Sequence, residues 1–206
     1  MATAAVHLPH VPVAPHRHRL TVDDFHRMGE VGILPADARA ELIDGEVFDM
    51  SPIGRLHAAL VARLTTAFHE SCGRRFVIWT QNPIRLGTMS EPQPDIALLA
   101  PRDDFYAGDT PTAADVRLIV EVADSSLEHD LAVKVPLYAA HGIPEVWIVE
   151  TTTRRTHRFS RPANGGYADH GIVESDKPLA FDAFNGSLGN LLPLDASSTI
   201  YTYKDR

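Results

Sequence analysis

From Leu118 to Val149 the chain runs LIVEVADSSLEHDLAVKVPLYAAHGIPEVWIV, and its apolar positions read as strand, helix, strand. Leu118-Ile119-Val120, interrupted by Glu121 and resumed by Val122, has the continuous apolar character of a strand buried on both faces, yet it carries a carboxylate. Desolvating an unpaired carboxylate is costly, so Glu121 is expected at a strand end beside a cation, a metal ion or hydrogen-bond donors. Asp124-Ser125-Ser126 stops the strand, and Ser125 with Glu128 matches a capping box that starts a helix. Lys134 and Tyr138, four apart, share one face of that helix. Pro136 forces a choice: the helix kinks there, or its regular part begins close to Lys134. Gly142 ends it, and Val146 to Val149 form a second buried strand, so a parallel crossover is predicted.

The same reading covers the rest. Thr21 and Asp24 predict a helix start, with Phe25 and Met28 on a short apolar face ending near Gly29. Asp44-Gly45, set between Leu42-Ile43 and Val47-Phe48, predicts a hairpin. Leu56, Leu60, Leu64 and Phe68 make a helical ridge ending before Gly73, with His57 in its first turn. Phe76 to Trp79, Ile84 to Leu86 and Asp95 to Leu99 read as strands. The last is introduced by Pro92-Gln93-Pro94, which puts Asp95 at its mouth, where a carboxylate can face a cleft. Residues 100 to 116 read as a loop with one turn at Ala113 to Asp115. Arg154 to Phe159 and Tyr167 to Val173 flank Asn164-Gly165-Gly166 as a second hairpin, and Phe181, Leu188, Leu191 and Leu192 are expected to cover one sheet edge. Residues 1 to 19 lack periodicity and predict a mobile arm, residues 20 to 195 one domain, and residues 196 to 206 a tail.

Composition narrows the function classes. With 206 residues, one ordinary domain is the expectation. The only cysteine, Cys72, excludes an intrachain disulfide and a multi-cysteine zinc site, and a reducing cytoplasm is the default. No apolar run approaches a membrane span, and no signal peptide is visible at the start. A formal net charge of -8 argues against a surface that is a nucleic-acid clamp throughout, while leaving room for a local basic groove. His7, His10, His16 and His18 could bind a transition metal, but an arm without a fixed backbone reads more simply as an extension.

Two carboxylates sit in otherwise apolar strands, Asp95 and Glu121. If those strands are neighbours, their oxygens can share a hard divalent cation, which polarises a phosphoryl oxygen and acidifies a bound water. Lys134 would orient that water or offset charge building on the phosphate. The trio suggests metal-assisted phosphodiester hydrolysis; spacing alone equally allows a structural Glu121–Lys134 ion pair with Asp95 as a turn residue.

Asp44-Gly45-Glu46, Ser51-Pro52 with His57, Gln93-Pro94-Asp95-Ile96, Val120-Glu121-Val122, and Asp130 through Lys134 to Tyr138 with Gly142-Ile143-Pro144-Glu145-Val146-Trp147 occur in order. In this the chain resembles the Uma-two family of restriction endonucleases, within the PD-(D/E)XK nuclease superfamily, over about residues 20 to 195. The resemblance implies an α/β (α+β) fold, a restriction-endonuclease-like mixed central sheet flanked by helices with an N-terminal β-hairpin. It implies Mg2+, with Mn2+ as a substitute, held by Asp95, Glu121 and the main-chain carbonyl of Val122. The usual superfamily lysine lies two positions after the second acid, where this chain has Ala123. The resemblance offers Lys134 on the following helix in its place. Glu41 matches an auxiliary metal carboxylate and His57 a proton or phosphate contact.

Three functions compete. The first is a Mg-dependent DNA endonuclease, for which a homodimer would supply two active sites for two strands. The second is a nuclease-fold module that binds DNA or a partner with little or no catalysis. The third is a metal-dependent hydrolase of a small phosphorylated substrate. No glycine-rich phosphate loop supports a nucleotide cofactor. Arg154, Arg155, Arg158 and Arg161, with Arg63, Arg74 and Arg75, are the basic candidates for phosphate contact. Arginines of the first set lining the cleft would favour a polynucleotide; arginines pointing away would favour a small substrate or an inactive scaffold.

Overall fold

The computed structural model describes residues 17–35 and 37–191, and the apolar runs build a six-stranded sheet at its centre. After α1 (Val22–Glu30) and the hairpin of β1 (Ala40–Ile43) and β2 (Glu46–Asp49) come the long helix α2 (Arg55–Cys72) and strands β3 (Val77–Thr80), β4 (Ile96–Leu99) and β5 (Val116–Ala123). Next follow α3 (Leu127–His129), a π-helical turn (Asp130–Lys134) and α4 (Val135–Ala140), leading into β6 (Glu145–Glu150), β7 (Thr156–Ala163) and β8 (Gly166–Val173). A small hairpin of β9 (Leu179–Phe181) and β10 (Phe184–Gly186) and the short α5 (Leu188–Leu191) complete the described chain. The sheet order is β3-β4-β5-β6-β7-β8, with β5 and β6 parallel and every other pair antiparallel. The predicted crossover is therefore present, and the fold is the mixed, helix-flanked sheet that was expected.

Alternation along the strands sorts the core into two layers. Ile96, Leu98, Leu118, Val120, Val122 and Trp147 face α2, where they meet Leu60, Leu64 and Phe68. Ala97, Leu99, Ile119, Ala123, Val146 and Ile148 face the opposite side, where Val135, Leu137 and Tyr138 cover them. The C-terminal hairpin lies on the α2 face, with the Phe184 ring 4.7 Å from that of Phe68, and does not cap an edge as the sequence suggested. An aromatic ring finds more apolar surface on a sheet face than along an edge. Leu56, expected in the α2 ridge, is 64% exposed, so the buried stripe begins at Leu60. Ile84 to Leu86 form no strand; Arg85 makes only an isolated bridge to Thr112. The first 16 residues and the tail, including Leu192, lie outside the described residues.

Both predicted hairpins turn through two left-handed residues, Asp44 and Gly45 in one and Asn164 and Gly165 in the other, as the twist of a two-residue connection requires. Gly45 is doubly constrained. Its φ is +76°, and a Cβ there would lie 2.6 Å from the Cβ of Arg19. Gly45→Ala is thus expected to cost about 1–3 kcal/mol, measured as a lowered urea midpoint with an unchanged slope.

Candidate active site

Register does the first part of the assembly. β4 and β5 pair Ile96 with Val120, so continuing the ladder one step sets Asp95 opposite Glu121. The backbone N–H of Asp95 donates to Glu121 Oε2 at 3.3 Å, and the N–H of Val122 donates to Asp95 Oδ2 at 2.9 Å. The two carboxylates are thereby locked to each other's strands.

The second part comes from the helix above. Ser125 does not cap it; α3 begins at Leu127, and Ser126 Oγ instead donates to Asp130 Oδ2 at 2.7 Å. The next turn, Asp130 to Lys134, is π-helical, closed by the Val135 N–H bonding to the Asp130 carbonyl, and α4 follows with Pro136 in its first turn. Proline has no N–H to give and would press on the carbonyl four residues back; a widened turn before it relieves both problems. Both alternatives for Pro136 thus resolve into a single one, with the regular helix starting after Lys134. Asp130 and Lys134 both point inward, buried. Lys134 Nζ reaches Glu41 Oε2 at 3.1 Å and Glu121 Oε1 at 3.3 Å, and the Tyr138 hydroxyl donates to the same Glu121 oxygen at 2.6 Å. The ammonium thus arrives over the face of β5 that Ala123 shares, although it is carried by another element.

Glu41 comes from β1, the buried strand of the first hairpin, and its Oε2 also accepts from the Gln93 N–H at 3.2 Å. His57, in the first turn of α2, bonds through Nε2 to Asp95 Oδ1 at 2.8 Å, and Gln81 Nε2 donates to that oxygen at 3.3 Å. Glu41, His57, Asp95, Glu121, Val122 and Lys134 all line one cavity of about 290 Å³. The five side chains singled out from the sequence are therefore neighbours, drawn from five different elements or their ends.

Burial governs the electrostatics. It pushes the Glu121 carboxyl up to about 8, against the pull of Lys134 and with added repulsion from Asp130, Asp95 and Glu41. Asp130 is raised too, chiefly by burial. For Lys134 burial would favour the neutral amine, but Glu121, Glu41 and Asp130 outweigh it and hold the ammonium above its ordinary range. The hydrogen bond to Asp95 raises His57, opposed by its partial burial. Four acids share one lysine and one histidine, and burial raises both Glu121 and Asp130 among them.

That surplus of buried negative charge is what a hard cation would relieve. The donors suit one: Asp95 and Glu121 offer carboxylate oxygens, and Val122 lines the same cavity with its carbonyl available by analogy. Among the described residues no three His, Cys, Asp or Glu side chains form a ready cage. Two carboxylates in an open cavity match an ion that keeps several of its waters.

Sequence reasoning named Asp130 within a motif but gave no site role to it, to Asp124 or to Gln81. Asp130 and Asp124 border the cavity, and Gln81 bonds to Asp95 from the end of β3. Polar residues in a loop or on a helix give no signal of this kind; only the buried context makes Asp130 unusual. The arginines depart from expectation more clearly. Arg158 pairs with Glu145, Arg155 with Glu174 and Arg161 with Asp169, while Arg75 pairs with Asp182, and none of the seven candidates lines the cavity. Arg154, Arg155, Arg158 and Arg161 sit on or beside β7, where acids neutralise the last three, while Arg63 lies within α2 and donates to the Leu191 carbonyl at 3.0 Å, and Arg74 and Arg75 follow its end. Arg39 is the arginine at the cavity wall.

Tyr138 supplies the shortest hydrogen bond to Glu121. Tyr138→Phe is expected to cost about 1–3 kcal/mol in stability, because a buried carboxyl oxygen loses its donor; equilibrium urea unfolding of the two proteins would measure this.

A sequence model of a protein family, Uma2, described as "Putative restriction endonuclease", matches residues 22–194. Among solved structures, the "crystal structure of a putative nuclease belonging to DUF820" from Anabaena variabilis superposes with a TM-score of 0.64 at 16% identity, covering 84% of this chain and 97% of that one. That likeness establishes a shared fold. No curated protein matches the chain. No helix among the described residues is long and apolar enough to cross a membrane.

Proposed function

Because the chain belongs to the Uma2 family of restriction-endonuclease-like proteins, we propose that it is a Mg2+-dependent DNA endonuclease that hydrolyses phosphodiester bonds. The observation that carries the reading is the meeting of Asp95, Glu121 and Lys134 around one acidic cavity. Asp95, Glu121 and the Val122 carbonyl would hold the ion, with Glu41 as an auxiliary acid. When bound, Mg2+ or its substitute Mn2+ supplies Lewis acidity toward a phosphoryl oxygen and toward water.

The protein's own groups do the rest. Lys134, kept cationic by the acids around it, offsets the charge that accumulates on the phosphate as water attacks in line with the departing 3′ oxygen. The new P–O bond forms as the P–O3′ bond breaks, with the attacking water releasing a proton to solvent and solvent protonating the leaving oxygen. Glu41 steadies the lysine, and Tyr138 fixes the outer oxygen of Glu121 so that its other oxygen stays turned toward Asp95. His57 orients Asp95 and, when protonated, presents a cation to the phosphate. A homodimer would allow both strands of a duplex to be cut.

One observation favours a second reading. The expected basic strip is paired away from the cavity, which suits a small phosphorylated substrate better than a long polyanion. The test is incubation of the purified protein with supercoiled, linear and branched DNA, with bis-p-nitrophenyl phosphate as the small diester, with and without Mg2+ or Mn2+. Nicking or linearisation that needs the metal supports the endonuclease; hydrolysis of the small diester alone supports the second reading. Metal binding without any hydrolysis would leave a binding module.

A further inference from the structure

A second cavity, of about 430 Å³, opens between α1 and the residues that lead into β1. Phe25, Pro35 and Pro83 give it flat apolar walls, and Gln93 lines both this cavity and the acidic one. The polar group in it is unusual. Glu91 is buried, its Oε1 bonded to His26 Nε2 at 2.6 Å, while its Oε2 is buried with no hydrogen-bond partner. Leaving such an oxygen unsatisfied is costly, and native proteins seldom do so without a reason. Its backbone cannot move to find a donor, because the Glu91 N–H and carbonyl are both bonded to Leu42.

We infer that this cavity receives one unstacked base of the substrate strand that bears an exocyclic amine, as every DNA base but thymine does, beside the site of cleavage. The inference rests on the endonuclease reading for its ligand. A single unpartnered carboxylate oxygen matches a single exocyclic amine, the pairing by which Glu accepts from the cytosine amino group; thymine has none. Phe25 and the prolines offer surfaces against which a base can stack. Only four residues separate Glu91 from Asp95, at most about 14 Å of chain, so the base lies within a few nucleotides of the scissile phosphate. The carboxyl must turn to present the buried Oε2 to the incoming amine.

Two measurements test this. The first titrates the protein with cytidine and with thymidine, read by saturation-transfer NMR on the nucleoside protons. Cytidine is expected to give a signal that Glu91→Gln and Phe25→Ala each weaken by roughly tenfold in affinity, with thymidine silent. Phe25→Ala alters a half-buried wall residue, so it reports even if the Glu91 variant folds poorly. The second sequences the ends cut from a random DNA pool. Wild-type protein is expected to show a bias against T at one fixed position near the cut. Glu91→Gln is expected to shift that bias toward A, which an amide reads through both N6 and N7. Equal signals from cytidine and thymidine, or a bias unmoved by Glu91→Gln, would overturn the inference. Absence of cutting with cytidine still bound would sink the endonuclease reading and leave the pocket standing.

Discussion

Glu121→Gln is expected to keep the protein folded and to reduce metal-dependent DNA cleavage by roughly a thousandfold or more, the loss of several kcal/mol of charge stabilisation. The fold survives because burial raises Glu121 to about 8, so near neutral pH without a cation the side chain is already largely the neutral acid, which an amide copies in shape. The sign of its pH dependence follows. A carboxyl raised on folding favours the native state below its ordinary value of 4.5, and that contribution drains away as pH rises to about 8. Metal-free wild type should therefore lose stability across that window, and Glu121→Gln should remove the Glu121 share of that slope. Urea titrations at several pH values measure the second effect and plasmid nicking the first. Asp95→Asn should match it in cleavage. Undiminished nicking by either variant would take the hydrolytic site away from this cavity.

Lys134→Met should be the most destabilising of the site substitutions, by about 3–5 kcal/mol near pH 8, because Glu41, Glu121 and Asp130 would be left buried without their shared cation. The sequence alone suggested a slower enzyme with an intact metal site; the geometry adds a folding penalty. That penalty should shrink toward about pH 5, where Glu121, raised to about 8, is protonated. Added Mg2+ should restore part of the lost stability, since a ligand that binds only the native state stabilises it. A midpoint for Lys134→Met equal to that of wild type at both pH values would mean that the ammonium does not hold the acids together. Cleavage assayed at a temperature where the variant is still folded separates the lysine's chemical role from its structural one.

Much of this architecture was readable from pattern. The strand–helix–strand unit, both left-handed hairpins and the α2 stripe follow from local periodicity and turn chemistry, which act over a few residues. Asp95 and Glu121 stood out because a carboxylate in an apolar strand must be accounted for. What escaped depended on distance in space. The Ile84–Leu86 run has β-forming residues, but no partner strand lies beside it. The charges of Arg155, Arg158 and Arg161 looked available only because their acidic partners, Glu174, Glu145 and Asp169, are up to 19 residues away across strands. Asp130 opened a motif but carried no role in the sequence, and the widened turn is what puts it inside.

That turn also sets how the chain can vary. Each residue of an α-helix advances the azimuth by about 100°. Deleting any one position between Asp130 and Lys134 would restore ordinary pitch and swing the lysine out of reach of both glutamates. Identity can drift along this segment, but its length is fixed: single-codon deletions there should be far less tolerated than substitutions at Leu131, Ala132 or Val133.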